Sequence, residues 1–221
     1  MKIDKRFTAL WLGFVFAAAS LSSERLDAAP GQAIVRGITG QALLSKGGNP
    51  SELLAVGSKV SSGDVVKTGV GSALDLYVGE NVGTIRLTQD TILRLKTLDV
   101  SEDHSNQVTE AQLILEAGTI LGQGGKPGFG VTNQVQVSNG VAAIGNGLYR
   151  INARGYTVLL DGSLIFAHIA SNGEIKAHEL KAPPPAYFSP VEGIREAPPA
   201  LVKEIQKQWK AKLKARAKDA R

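Results

Sequence analysis

The chain has 221 residues, with 25 Lys and Arg against 20 Asp and Glu, 25 Gly, 9 Pro and no Cys. The lack of Cys excludes disulfides, thiolate nucleophiles, cysteine zinc sites and a lipid anchor on an N-terminal cysteine. Glycine at about 11% against the usual ~7%, beside 43% apolar residues, argues for many turns around a packed core and so for an all-β body. The net charge of +5 is uneven: residues 1–29 carry +1, residues 30–197 carry −2 and residues 198–221 carry +6. The basic field therefore belongs to the tail and not to the body.

Lys2, Lys5 and Arg6 precede an apolar run from Ala9 to Ala19, the outline of a signal peptide. The run is short of the ~20 residues that span a bilayer. Small residues permit cleavage after Ala19 or Ala28, so residues 1–29 read as signal peptide plus mature lead. The expected location is periplasmic or secreted, with no transmembrane segment after cleavage.

Residues 30–180 read as one β domain. Leu74, Leu76 and Val78 alternate with Ala73, Asp75 and Tyr77, and Leu113 and Leu115 alternate with Gln112, Ile114 and Glu116. Period two places one set inward and the other outward. Both sets are apolar near Leu159–Leu160 and Leu164–Phe166, which predicts strands covered on both sides. Asn139-Gly140, Asp161-Gly162 and Asn172-Gly173 predict three hairpins, because these residues tolerate the positive φ of a type I′ turn. Many short strands with frequent turns predict a jelly-roll-like β-sandwich or a roll.

Val56-Gly57-Ser58-Lys59-Val60-Ser61-Ser62-Gly63-Asp64-Val65-Val66-Lys67-Thr68-Gly69 followed by Ser72-Ala73-Leu74-Asp75-Leu76 resembles the opening of a FecR domain. Later segments keep the family's order: Thr84–Leu87, Thr91–Leu95, Leu113–Ile120 around Gly118, and Ala143–Ile151. The family usually has Thr after the glycine matched by Gly145, where this chain has Asn146 and Gly147. The resemblance implies an extracytoplasmic β domain and does not carry over the sigma-factor regulation of the iron-citrate transducers.

No catalytic, cofactor or metal site emerges. Asp99, Ser101, Glu102, Asp103 and His104 lack the alternating ligands and turn glycine of a calcium loop and read as a solvated acidic loop. His168 and His178 flank the Asn172-Gly173 turn and face one another only in a suitable register, without a third ligand. Gly122–Gly128 has Pro127 at the last glycine position of a dinucleotide pattern and no Ser or Thr after Lys126, so it reads as a flexible surface loop. No G-x-S-x-G elbow occurs. Arg86, Arg94 and Lys96 with Tyr77 read as the solvent face of a half-buried sheet, the alternative being a sugar- or single-strand-binding face.

Lys181–Pro198 reads as a proline-rich strap, in part lying against the body through Tyr187 and Phe188. Residues 199–221 read as a basic amphipathic helix begun by Pro198-Pro199. Leu201, Val202, Ile205, Trp209 and Leu213 share one arc, with Lys203, Lys207, Lys210 and Lys214 opposite. Leu201, Ile205, Trp209, Leu213, Lys210 and Lys214 are the candidate partner-binding residues. Three destinations compete: the domain's own sheet, a protein partner, or an anionic or glycan envelope surface. The reading is a FecR-like, non-catalytic binding or scaffold module of the cell envelope. The alternatives are a glycan-binding module and a hydrolase whose site leaves no local motif.

Overall fold

The computed structural model describes residues 29–47, 51–100, 108–125, 130–170 and 172–219, with the side chains of the C-terminal helix described as far as Lys210. The expected signal peptide and the acidic loop beyond Val100 lie outside the described residues. In chain order the strands are β1 (Ala29–Pro30), β2 (Gln32–Thr39), β3 (Ala42–Ser45), β4 (Glu52–Leu53), β5 (Lys59–Ser61), β6 (Val65–Thr68), β7 (Ala73–Gly79), β8 (Gly83–Leu87) and β9 (Ile92–Val100). They continue as β10 (Val108–Ala117), β11 (Thr119–Gly124), β12 (Thr132–Val137), β13 (Gly140–Asn152), β14 (Thr157–Leu159), β15 (Gly162–Ile169), β16 (Ile175–Ala182), β17 (Ala186–Ser189) and β18 (Gly193–Glu196). Among the described residues one helix, α1 (Pro199–Asp219), follows the strands. The protein is all-β with a C-terminal helix.

The strands form two layers joined through β13. One layer runs β4-β3-β6-β9-β10-β12-β13-β15-β16, with β1 beside β9. The other runs β5-β2-β7-β8-β11-β13-β14-β17-β18. The first half of β13 pairs with β12 and β15, and its second half with β11 and β14. The switch falls at Gly145-Asn146-Gly147, where Gly147 takes φ +98°, a conformation that glycine alone adopts without cost. The chain advances along both layers together, so the sheet curls as a roll.

Alternation sets the core between the layers. Leu74, Leu76, Val78, Leu93, Leu95, Leu113, Leu115, Tyr149, Phe166 and Phe188 are buried there. Asp64, Thr68 and Thr91 act as staples. Asp64 is buried and accepts a hydrogen bond from the Ser61 amide at 2.9 Å, tightening the turn before β6. The Thr68 hydroxyl accepts from the Thr91 amide at 3.0 Å, and the Thr91 hydroxyl in turn accepts from the Thr119 amide at 3.1 Å. These contacts satisfy buried backbone groups where the chain passes between layers.

Several expectations change. Ser138-Asn139 turns the β12–β13 hairpin, one residue earlier than expected, and Asn172-Gly173 lies in the β15–β16 hairpin. Asp161-Gly162 makes no hairpin: it carries the chain from β14 in one layer to β15 in the other. Leu159 and Leu160 are covered on both sides, Leu159 by the inter-layer core and Leu160 by α1. Ile165, between buried Leu164 and Phe166, is 49% exposed, because its layer has a bare outer face. Most of the expected strap is sheet: β17 and β18 form a hairpin that pairs through Phe188 and Tyr187 with β14. Prolines on either side of Ala186–Ser189 mask this short alternation.

Candidate functional site

The C-terminal helix docks on its own sheet. Ile205 and Trp209 are buried against Leu121 of β11, Val158 of β14 and Ala197, with Leu148, Leu160, Tyr187, Leu201 and Val202 packed around them. Register explains the patch: Gly37, Asp75, Arg86, Leu121, Arg150, Val158, Tyr187 and Arg195 stand opposite one another across eight strands. The helix lies over this row, with Glu204 3.9 Å from Arg150, and passes within 8 Å of β2. Leu201, Ile205 and Trp209 are therefore taken up in cis, because the patch beneath them is held at high effective concentration by the chain itself. Lys203, Lys207 and Lys210 point outward and are exposed. The side chains of Leu213 and Lys214 lie outside the described residues.

The basic strand residues do not make one face. Arg86 is mostly buried and its Nη1 reaches both carboxylate oxygens of Asp75, at 3.1 and 3.3 Å. Arg94 lies on the other layer and pairs with Glu116 at 2.8 Å. Lys96 is exposed. Tyr77 lies beneath the Arg36 guanidinium, 5.3 Å from its ring centre. Arg86, expected on a solvent face, is instead a buried partner under the covered layer.

Register places Phe166 opposite His178 and His168 opposite Lys176, so the two histidines are diagonal neighbours. Their rings are 6.1 Å apart and both rest on Phe188, at 5.9 and 4.7 Å. Burial, then His168 and Lys176, lower the pKa of His178. Among the described residues no three His, Asp or Glu side chains gather as metal ligands.

The cleft that the sequence reading missed lies where β12 and β13 part. Their ladder stops at Gln134 opposite Ala143, because β13 turns toward the other layer. Beyond it a gap of about 340 Å³ opens, lined by Thr132, Asn133, Gln134, Ile144, Gly145 and Ser163, among others. Its outer rim is a continuous cross-strand row, Gln134, Ala143, Ile165 and Glu179. Its floor belongs to the inward set, with Ile144 and Leu164 beside Asn133. Asn133 is 6% exposed, yet neither its carboxamide oxygen nor its nitrogen has a hydrogen-bond partner. A buried carboxamide with both ends free is costly and is retained where something else supplies the partner. Period two had the signal: Asn133 shares a face with Val135 and Val137, a polar residue on the buried side of a strand.

A second cleft, about 580 Å³, lies at the opposite side of the β13 bend between Tyr77, Glu80, Gln123, Asn146, Leu148 and Asp161, with glycines forming much of its wall. Comparisons with family models, with curated proteins and with solved structures find no match to this chain. Among the described residues, no helix is long and apolar enough to cross a membrane.

Proposed function

We propose that the protein is a non-catalytic binding or scaffold module of the cell envelope, FecR-like in its domain, that holds an extended segment of a protein partner. The observation that carries this reading is the inequality of the two outer faces. One is sealed by α1. The other is uncovered by any described residue, with Ile165, Ile169 and Ile175 about half or more exposed around Ala143, Ala167 and Ala177. That face ends at β16, an eight-residue strand that among the described residues pairs only with β15. An open edge beside an apolar-flecked face is suited to strand addition by an extended polypeptide. Lys176 and Lys181 on that edge discourage pairing with a second copy of the same strand. The export signal and the order of FecR-like motifs support placing the module in the envelope.

Photo-crosslinking tests this reading. A crosslinker placed at Ile169 or Ile175 is expected to give one discrete protein adduct with envelope fractions, lost when Ile165 is replaced by Glu. The same group at Lys203, on the outer side of α1, is expected to give none. Adducts from Lys203 alone, weakened by salt, would favour electrostatic attachment through the helix instead. A glycan-binding reading rests on Tyr77 and the polar groups of the second cleft. It requires that glycan binding fall when Tyr77 is replaced by Ala while Ile165→Glu leaves it unchanged.

A further inference from the structure

The gap between β12 and β13 combines three features that stand together nowhere else among the described residues. It interrupts a sheet, so its walls are strand edges whose ladder has ended: Thr132 and Asn133 on one side, Ile144 and Gly145 on the other. It has a buried carboxamide at its base with one donor group and one acceptor unused. It opens onto the bare face through Gln134, Ala143, Ile165 and Glu179. We infer that this seam is a recognition site for the backbone amide of an extended, uncharged peptide segment, read by the Asn133 carboxamide.

The chemistry follows from what each group offers. A carboxamide presents N–H and C=O side by side, the complement of the C=O and N–H of a secondary amide. A peptide group seated there accepts from Nδ2 and donates to Oδ1, so both orphaned atoms of Asn133 are satisfied at once. The strand edges above it offer further backbone partners to an extended chain, as in strand addition. Val131, Ala143, Ile144 and Ile165 leave room for small apolar side chains. The seam does not call for a charged ligand, because Glu179 at its rim is already paired with Lys181 at 2.8 Å. Among the described residues no aromatic ring lines it, so these offer no stacking platform of the kind a sugar ring would use.

This inference rests on the reading of the protein as a peptide-holding module and names the group that does the reading. The test is a titration of the isotope-labelled full chain with N-acetyl-alanine-N-methylamide, followed by NMR. The expected result is a saturable shift of the Asn133 side-chain amide together with the backbone amides of Ile144, Gly145 and Ser163. N-acetylglucosamine at the same concentrations is expected to leave them in place. Asn133→Leu, close in volume and without polar atoms, is expected to abolish the response at Ile144, Gly145 and Ser163 while raising Tm by about 3 °C. Absence of saturable shifts, an unchanged response in the Leu variant, shifts with the sugar instead, or a lowered Tm of that variant would each overturn the assignment. The crosslinking adduct at Ile169 separates the two levels. If it survives while the titration fails, the seam is wrong and the module stands; if it is missing as well, both fall.

Discussion

The ring of Tyr149 on β13 occupies the space where a side chain on Gly122 of β11 would stand. The two are directly paired across the strands, and a Cβ at Gly122 would collide with the Tyr149 ring and hydroxyl. Tyr149 is fully buried, its hydroxyl has no partner, and burial pushes its ionisation well above the usual phenol range. Gly122→Ala is expected to destabilise the protein by about 3 kcal/mol through overpacking. Tyr149→Phe is expected to be neutral or stabilising by up to about 1 kcal/mol, because it removes a buried group without a partner. Denaturant melts of the two variants check both. A Gly122→Ala variant as stable as the parent would show that the ring has space to move.

The α1 docking gives a second expectation. Among the described residues the inter-layer core contains none from α1, so a chain ending at Ala197 is expected to keep its sheet. It loses the cover over Leu121, Leu148, Val158, Leu160 and Tyr187, and should bind a hydrophobic dye and self-associate. Trp209→Ala is expected to cost about 3 kcal/mol, against no more than about 0.5 kcal/mol for exposed Lys207→Ala. Thermal melts and light scattering provide the readout. Equal effects of the two substitutions would contradict apolar anchoring.

Arg86 and Asp75 test a buried ion pair. Arg86→Met leaves the Asp75 carboxylate buried without that guanidinium and is expected to cost about 3 kcal/mol. Combining it with Asp75→Leu is expected to recover much of the loss. The exposed Arg94–Glu116 pair is the control, where Arg94→Met is expected to cost at most about 1 kcal/mol. A double-mutant cycle in urea measures the difference.

His178 makes stability depend on pH in a known direction. Its folded pKa lies below the ordinary 6.5, held down by burial, His168 and Lys176, so the unfolded chain binds the proton more readily. The contribution is complete above pH 6.5 and falls as pH drops through 6.5 toward the folded value. His178→Gln should flatten that limb of a Tm-against-pH curve relative to the parent. Curves that remain parallel in this window would remove His178 as the source.

The sequence made the layers legible because they depend on period two, which survives wherever one face is wet. It was weaker where both faces are dry: Thr157, Val158 and Leu159 are all buried, and alternation alone does not say which residue meets the core and which meets the helix. Gly122–Gly124 looked like a loop because glycine usually marks a turn; here they are strand, and Gly122 yields its place to a residue 27 positions away. Asp161-Gly162 has hairpin chemistry and changes layers instead, a choice made by the bend of β13. The seam followed the same logic. Asn133 was visible as a polar residue on an apolar face, but the opening beside it exists because two strands diverge, and divergence leaves no mark in either strand alone.

The position of α1 has a consequence for biogenesis. The segment that shields the patch around Leu121 and Val158 is made after every strand that it covers, and it passes near β2, one of the earliest of those strands. Until that segment arrives, the nascent molecule carries a sticky surface on strands already made, so a protecting chaperone has most to offer in the interval between β18 and α1.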